Sequence, residues 1–134
     1  MRNTKYVVGL VFDETERVML IEKKRPDWQK GLLNGVGGEI RINESPIDAM
    51  IRECKEESGL YIDKWHLYDT VTFDNGVELH YFCCLVKSDF LDTAQTLTDE
   101  NIVIYHRSHI KGKLHEDIKQ MIIDFIARYE LIIK

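Results

Sequence analysis

The chain has 134 residues, of which 31% are charged and 44% apolar, with two prolines and eight glycines. This composition excludes disordered and fibrous proteins and is typical of a compact domain that needs neither disulfides nor metal for its core. The formal net charge of −5 argues against duplex nucleic acid as a partner, because proteins that grip its backbone carry a broad basic surface. We therefore expect a single domain over residues 1–134.

Cysteine usage and hydropathy bear on the cellular location. The three cysteines are odd in number, and Cys83 and Cys84 are adjacent, which predicts neither a disulfide framework nor a Cys-x-x-Cys metal site. The N-terminal apolar run ends at Asp13 without a small-residue cleavage site, and no apolar stretch approaches the roughly 18 residues of a membrane span. We therefore expect a cytoplasmic protein with no membrane partner.

The first third of the chain alternates apolar runs with polar turns. Residues 5–12 and 18–21 are rich in β-branched side chains, which predicts two strands joined by a turn. The basic segment 23–31 predicts an exposed loop that either improves solubility or contacts phosphate. In residues 35–38, three glycines predict a strand that runs into a loop, where the backbone could approach a ligand closely.

A helix is predicted over residues 46–58. Ser45 suits the N-cap, Pro46 suits the first helical position, and Gly59 suits the left-handed residue that ends a helix. Helical periodicity gathers most apolar side chains, together with Cys54, on one arc that should face the core.

Further strands and a second helix are predicted downstream. The runs 65–73 and 77–86 are rich in aromatic and β-branched residues and flank Asn75-Gly76, the strongest short-range signal for a hairpin. The rest of the chain predicts a loop over 88–101, a short strand over 102–106 and an amphipathic helix over about 114–131. This order of elements predicts an α+β sandwich with a mixed central sheet between helices.

The first helix carries three carboxylates on one side. Glu53, Glu56 and Glu57 share an arc of about 100° beside the apolar one. Like charges at this spacing repel. Two interpretations remain open at this point: a solvated acidic surface partly neutralised by Arg52 and Lys55, or a binding site for Mg²⁺, which prefers carboxylate oxygens.

The segment around this helix resembles a known family signature. It is similar to the Nudix box at every fixed glycine, glutamate and arginine, which here read Gly38-x5-Glu44-x7-Arg52-Glu53-Cys54-x-Glu56-Glu57-x-Gly59-Leu60. The resemblance implies an α/β/α sandwich and a Mg²⁺-dependent hydrolase, with Mn²⁺ as a substitute, that acts on a nucleoside diphosphate linked to another group. The substrate implied is a small-molecule nucleotide.

The same resemblance assigns roles to individual residues. It implies that Glu53, Glu56, Glu57 and the backbone of Gly38 bind the metal, and that Arg52 orients these carboxylates by ion pairing. A pyrophosphate bridge is flanked by negative oxygens, so its hydrolysis needs cations to neutralise the charge that repels the attacking hydroxide. Several carboxylates are needed to hold such cations.

Other box positions support the site. Glu44 matches the glutamate nearer the loop, which supports the site and can assist the metal. Cys54 stands where the family prefers a bulky aliphatic side chain, and this difference should affect packing more than chemistry. The resemblance implies a general base that is either a box glutamate, here Glu53 or Glu56, or an acid from a later loop, here Glu100.

The segment before the box points to a substrate class. Asn34 and the glycines that follow it, including Gly37 and Gly38, resemble the branch that hydrolyses oxidised purine nucleoside triphosphates. That resemblance makes Asn34 a candidate for contacting the base, although it could also only shape a turn. The nearest match to the branch's acidic pair is Glu116-Asp117, but Leu114 stands where that branch has a tryptophan. Three aromatics elsewhere are candidates to stack on the base: Trp28, Tyr81 and Tyr105.

The leading hypothesis is a pyrophosphohydrolase that converts a nucleoside triphosphate to the monophosphate and pyrophosphate. The alternatives are a hydrolase of ADP-ribose, a nucleotide sugar or a dinucleoside polyphosphate, and a catalytically silent module that binds nucleotide. We expect a monomer or a homodimer.

Overall fold

The computed structural model describes residues 4–133, and the side chains as far as residue 128. Most predicted elements are confirmed within one or two residues. The strands are β1 Lys5–Asp13, β2 Arg17–Glu22, β3 Leu32–Asn34, β4 Val36–Glu39, β5 His66–Thr72, β6 Glu78–Val86, β7 Ile102–His106 and β8 Lys113–Leu114, and the helices are α1 Pro46–Ser58, α2 Ser88–Leu91 and α3 Glu116–Ile133, with one 3₁₀ turn at Asp27–Gln29.

Two local predictions are wrong, and one short strand was missed. The glycine-rich segment is strand β4 and not the end of a strand entering a loop; Gly37 pairs with Val8 of β1. The C-terminal helix predicted from about residue 114 is confirmed; it begins at Glu116, because Leu114 belongs to a strand that was not predicted, β8, and pairs in parallel with Leu33 of β3. The predicted loop over 88–101 contains the short helix α2. For β4 and β8, pairing with a strand distant in the chain outweighs the local sequence pattern. For α2, the helix is a single turn, too short for a pattern to indicate it.

Strand β1 organises the sheet. It pairs in parallel with β6 over its whole length, from Lys5 to Asp13. On its other side it pairs antiparallel with β4 near its start, between Tyr6 and Gly9, and with β2 near its end. The chain passes from β3 to β4 at Gly35, where an added Cβ would lie 2.5 Å from the carbonyl oxygen of Gly9. The sheet is therefore mixed, and it splits next to the predicted site.

Two helices cover the two faces of this sheet. Val7 and its neighbours on one face share a core cluster with Met50 of α1. On the other face, Phe12 stacks on Phe125 of α3 with ring centroids 4.0 Å apart. The predicted α/β/α sandwich with a mixed central sheet is confirmed. Within residues 4–133, no helix is long and apolar enough to cross a membrane.

Helix α1 begins and ends as predicted. The Oγ of Ser45 accepts a hydrogen bond from the backbone N–H of Asp48 at 3.2 Å, and Gly59 ends the helix with a φ of +79°. The cysteine of the box, Cys54, is fully buried, as expected for a small apolar side chain. Glu57 is buried as well, which helical periodicity alone did not predict.

Candidate active site

The contact between α1 and β4 brings a carboxylate onto the sheet. Glu57 is 8% exposed, and its Oε1 accepts a hydrogen bond from the backbone N–H of Gly37 at 2.7 Å. Burial raises the pKa of Glu57 to about 7; the charge of Glu53 acts in the same direction, while the Gly37 N–H and the charge of Lys23 oppose the shift. Among the described residues, the Gly37 N–H is the one hydrogen-bond donor to this carboxylate. Burying a negative charge with so few partners costs free energy, and a bound cation would reduce that cost.

Glu53 lies against the next residue of β4. An added Cβ at Gly38 would lie 2.6 Å from both the carboxyl carbon and Oε1 of Glu53. Glycine at this position is therefore what lets the carboxylate approach the strand. Burial also raises the pKa of Glu53, and the hydrogen bond from Arg52 opposes that shift. Glu53 and Glu57 thus both approach the backbone of β4.

Arg52 links the loop before the helix to the carboxylates on it. Its Nε and Nη2 donate to the two carboxylate oxygens of Glu44 at 2.8 and 2.9 Å, and its Nη1 donates to Oε1 of Glu53 at 2.8 Å. Nη2 also donates to the carbonyl oxygen of Glu39 at 3.1 Å. The hydrogen bonds from Arg52 lower the pKa of Glu44 to about 2. This bidentate pair orients Glu53 from one side.

Glu56 lies farther from the strand than the other two glutamates. Its side chain is 49% exposed, and its oxygens lie 3.4 Å from Nη1 of Arg52 and 3.8 Å from Nη2 of Arg41. Among the described residues, no three His, Cys, Asp or Glu side chains converge into a preformed metal centre. The metal-binding role of the box glutamates accordingly stays a prediction.

Glu100 is fixed by two lysines. It is 6% exposed; its Oε1 lies 3.2 Å from Nζ of Lys23, and its Oε2 accepts a hydrogen bond from the backbone N–H of Lys24 at 2.7 Å. Its charge contributes to the raised pKa of Glu57. The structure therefore places Glu100 within electrostatic reach of the box, but with both carboxylate oxygens already engaged.

A cavity of about 590 Å³ opens beside these groups. It gathers four of the residues expected to bind substrate: Asn34, Gly37, Gly38 and Asp117. Glu44, the fifth, pairs with Arg52 instead and is not among the described residues that line the cavity. The cavity therefore joins the β4 backbone at one end to the start of α3.

Sequence reasoning missed three polar residues in this cavity. Lys23, Gln29 and His115 all contribute to its wall. The first two belong to the basic segment 23–31, whose charge predicts either better solubility or a contact with phosphate, so the sequence carries a signal for them. The Nδ2 of Asn34 donates to Oε1 of Gln29 at 3.2 Å, while its Oδ1 accepts from the N–H of Gly35 at 2.8 Å. Asn34 therefore both shapes the turn and lines the cavity.

Two of the three candidate aromatics lie at the cavity. Trp28 lines it, remains 68% exposed, and has its ring 5.9 Å from the ring of His115. Tyr81 also lines it. Tyr105 packs against the core cluster below α3 instead. An exposed indole beside a cavity is available to stack on a planar ligand.

Comparison with known proteins agrees with this arrangement. A family model of the NUDIX domain matches residues 2–120. The oxidized purine nucleoside triphosphate hydrolase of Mus musculus is 38% identical over 69 residues, which cover 52% of this chain and 43% of that protein. The 8-oxo-dGTP diphosphatase of Proteus vulgaris is 30% identical over 66 residues, which cover 49% and 59%. The chain thus matches about half the length of these curated relatives.

Solved structures share the fold at low sequence identity. The NUDIX domain of Shewanella oneidensis NrtR, solved with ADP ribose, superposes with a TM-score of 0.79 at 16% identity, covering 96% of this chain and 90% of that one. A NUDIX-family hydrolase from Clostridium perfringens gives a TM-score of 0.70 at 19% identity, covering 94% and 99%. With the box geometry, the fold and a family model that spans residues 2–120 in agreement, the chain belongs to the Nudix family.

Proposed function

We propose that the protein is a Mg²⁺-dependent pyrophosphohydrolase that cleaves a nucleoside triphosphate, including an oxidised one, to the monophosphate and pyrophosphate. The observation that carries this proposal is the buried carboxylate of Glu57, hydrogen-bonded to Gly37 where β4 borders a cavity of about 590 Å³. The curated relatives named above act on oxidised purine nucleoside triphosphates, which supports the same substrate class here.

The residues fit a hard divalent cation, the kind of metal that Nudix hydrolases generally use. All of the candidate ligands offer oxygen: the carboxylates of Glu53, Glu56 and Glu57 and the carbonyl of Gly38. Burial raises the pKa of two of these carboxylates, Glu53 and Glu57, because it disfavours their ionised forms. A bound cation would stabilise the ionised forms and offset the free-energy cost of burying them. Mg²⁺ commonly retains water and substrate phosphate among its ligands, so it does not require three converging side chains. Mn²⁺ is expected to substitute for it.

The proposal gives specific roles to three residues at the box and the cavity: Arg52, Lys23 and Gly38. Mg²⁺ bound at the box would neutralise phosphate charge and lower the pKa of the attacking water. Arg52 holds Glu53 in place through its own pairing with Glu44. Lys23, in the cavity wall, supplies a positive charge for the phosphates. Gly38 leaves room for a phosphate and a carboxylate to lie close to the backbone.

Glu53 is our preferred general base. Burial raises its pKa, which moves it toward the range in which a carboxylate accepts a proton near neutral pH. Glu56 is the second candidate from the box. The external candidate, Glu100, is less suited because Lys23 and Lys24 occupy both of its oxygens. Glu53→Gln should therefore lower kcat by orders of magnitude, while Glu100→Gln should lower it far less.

The other end of the cavity is suited to a nucleobase. Asn34 and Asp117 provide hydrogen-bonding groups at the wall, and the exposed ring of Trp28 provides a surface for stacking. The pair formed by Asn34 and Gln29 fixes the amide in one orientation. Phosphates would then extend toward Gly37 and Gly38.

A substrate panel tests the proposal. The protein is incubated with Mg²⁺ and, separately, with nucleoside triphosphates, oxidised purine nucleoside triphosphates, ADP-ribose, nucleotide sugars and dinucleoside polyphosphates, and the phosphate products are measured. We expect pyrophosphate from the triphosphates. Preferential turnover of ADP-ribose or a dinucleoside polyphosphate would replace the proposed substrate, and tight nucleotide binding without any turnover would indicate a silent binding module.

Variants of the box test the metal role. Glu56→Gln and Glu57→Gln should each lower turnover by orders of magnitude without unfolding the protein, since each removes one anionic ligand. Asp63→Asn provides the control, because Asp63 is an exposed carboxylate outside the box. A near-normal rate in both glutamine variants would contradict the assigned ligands.

We also propose a cytoplasmic monomer or homodimer whose partner is a small-molecule nucleotide, with no duplex nucleic acid and no membrane as partner. The three cysteines, Cys54, Cys83 and Cys84, are free and buried, which supports a reducing compartment. Light scattering coupled to size-exclusion chromatography would determine the oligomeric state.

A further inference from the structure

A second recess lies on the outer side of the box. It has a volume of about 600 Å³ and is lined by residues 39–42 and by Arg52, Glu53 and Glu56 of α1. Glu53 contacts Gly38, which itself lines the 590 Å³ cavity. The two spaces therefore meet where Glu53 contacts Gly38. A ligand with its nucleoside in the cavity and its phosphates at the box can extend its far end into this recess.

Arg41 is the cation of this recess that remains able to bind an anion. Its side chain is 66% exposed, and its Nη2 lies 3.8 Å from Oε1 of Glu56, beyond hydrogen-bond distance. Among the described residues, its guanidinium donates no hydrogen bond. Arg52, the second cation of the recess, already donates to Glu44, to Glu53 and to a backbone carbonyl.

The backbone of Arg41 is fixed to the box while its side chain is exposed. Its N–H donates to Oε1 of Glu44 at 3.0 Å, and its carbonyl oxygen accepts a hydrogen bond from the N–H of Glu44 at 3.1 Å. Glu44 is in turn held by Arg52. The guanidinium of Arg41 therefore extends from a fixed turn, which lowers the entropic cost of binding a ligand. A guanidinium can donate two parallel hydrogen bonds to two oxygens of one phosphate.

We propose that Arg41 binds the terminal phosphate of the substrate and thereby makes the protein prefer nucleoside triphosphates to diphosphates that end in a neutral group. This inference rests on the proposed function, in which the nucleoside lies in the cavity and the phosphates lie at the box. A terminal phosphate carries about 1.5 to 2 negative charges near neutral pH. A diphosphate that ends in a sugar has no terminal phosphate, so the guanidinium distinguishes the two substrates by charge.

The charges around the recess make a cation necessary there. Three carboxylates, from Glu39, Glu53 and Glu56, line it together with the two guanidiniums. Without Arg41, Arg52 would be the one guanidinium among the described lining residues, and a phosphate that entered would meet net repulsion. Glu56 is also a candidate metal ligand. Arg41 therefore loses its long ion pair when Glu56 binds a cation, and its guanidinium can then pair with phosphate.

Two substitutions test Arg41, and a third is the matched control. Arg41→Gln removes the charge, while Arg41→Lys keeps the charge but loses the paired donors. Lys55→Gln removes the same charge from an exposed side chain of α1 that lines neither the recess nor the cavity. Because both side chains are exposed, we expect all three variants to unfold at the same urea concentration as the unmodified protein.

The first experiment measures binding of inorganic pyrophosphate in the presence of Mg²⁺ by calorimetry, which requires no turnover. We expect Arg41→Gln to weaken pyrophosphate binding about tenfold, Arg41→Lys to weaken it less, and Lys55→Gln to change it by less than about twofold. AMP, which has no distal phosphate, should bind equally to all of these proteins. An unchanged affinity for pyrophosphate in Arg41→Gln would overturn the inference. So would an equal loss in Lys55→Gln, an equal loss for AMP, or no measurable binding of pyrophosphate to the unmodified protein.

The second experiment measures kcat and KM for ATP, with ADP-ribose as a second substrate or as a competitive inhibitor. Arg41→Gln should lower kcat/KM for ATP about tenfold and leave the KM or inhibition constant of ADP-ribose nearly unchanged. If no triphosphate were hydrolysed but pyrophosphate binding still depended on Arg41, the proposed function would be rejected and the phosphate-binding role retained. If triphosphates were hydrolysed with the same kcat/KM in Arg41→Gln, the inference would be rejected and the function retained.

Discussion

The buried carboxylate of Glu57 predicts an unusual pH dependence of stability. In the metal-free protein its pKa is raised from 4.5 to about 7, mainly by burial. Between these two values the folded protein holds a proton that the unfolded chain has lost, so the free energy of unfolding decreases as the pH rises. The stabilisation is complete below pH 4.5 and is lost as the pH passes through about 7.

The magnitude follows from the size of the shift. One pKa unit corresponds to about 1.4 kcal/mol, so the interval from 4.5 to about 7 is worth about 3 kcal/mol. Glu57→Gln keeps the shape and an oxygen that can accept from the Gly37 N–H, but it cannot ionise. At pH 8 the variant should therefore be more stable than the unmodified protein by about 3 kcal/mol, or roughly 10 °C in Tm.

The assay is urea unfolding in the presence of a chelator, at half-unit steps from pH 4.5 to 8. We compare Glu57→Gln with the unmodified protein, so that histidines and other groups that titrate in both cancel. Adding Mg²⁺ should stabilise the unmodified protein increasingly as the pH rises, since the metal binds the ionised carboxylate. The same addition should have much less effect on Glu57→Gln.

Glu56→Gln is the matched control, because it removes a half-exposed carboxylate from the same helix. We expect it to leave the pH slope in place. If the slope for Glu57→Gln paralleled that of the unmodified protein, or if the variant were less stable at pH 8, the burial argument for Glu57 would be wrong.

Three further substitutions follow from the same geometry. Arg52→Lys removes the two-pronged pairing with Glu44 and should cost about 2 kcal/mol in chemical denaturation. Gly38→Ala places a Cβ 2.6 Å from the carboxyl carbon of Glu53. The Glu53 side chain can move aside, so the protein should fold. Calorimetry should show its Mg²⁺ affinity reduced about tenfold or more, because Glu53 is displaced. Ser45→Ala removes the N-cap of α1 and should lower the unfolding free energy by about 1 kcal/mol in the same denaturation assay.

Each of these expectations has a clear contrary result. Unchanged stability of Arg52→Lys would mean that a single ion pair suffices at that position. Normal Mg²⁺ affinity of Gly38→Ala would show that the approach of Glu53 to β4 does not matter for metal binding. A loss well above about 2 kcal/mol for Ser45→Ala would exceed what one capping bond supplies.

Most elements of the fold were readable from local sequence patterns. The strand over 102–106 and the helix over 46–58 coincide with the observed β7 and α1, because residue periodicity, caps and turn residues act over a few positions. Apart from the short helix α2, the errors occur where partners are distant in the chain. Strand β4 carries glycines that usually disfavour strands, and it forms because β1 pairs with it closely. Strand β8 exists only because β3 lies beside it.

The features of the candidate site likewise fall into those predicted from local sequence and those set by tertiary contacts. The sequence by itself determined which carboxylates share one side of α1, because helical geometry is local, and the specific spacing of the box implied that Arg52 pairs with them. It could not determine that Glu57 is buried and Glu56 half exposed, since burial depends on how closely β4 approaches the helix. Nor could it place Tyr81 against Asp117, 36 residues away.

What only the tertiary structure decided is how these groups meet. Strand β4 pairs beside β1, and its Gly37 and Gly38, which the carboxylates of α1 contact, also line a cavity walled by the 23–31 segment, β6 and the start of α3. Local patterns set the chemical character of each element, because propensity and periodicity act between near neighbours. The charge state of Glu57 and the orientation of Asp117 depend on desolvation and on contacts across the chain, and both arise only when the layers pack together.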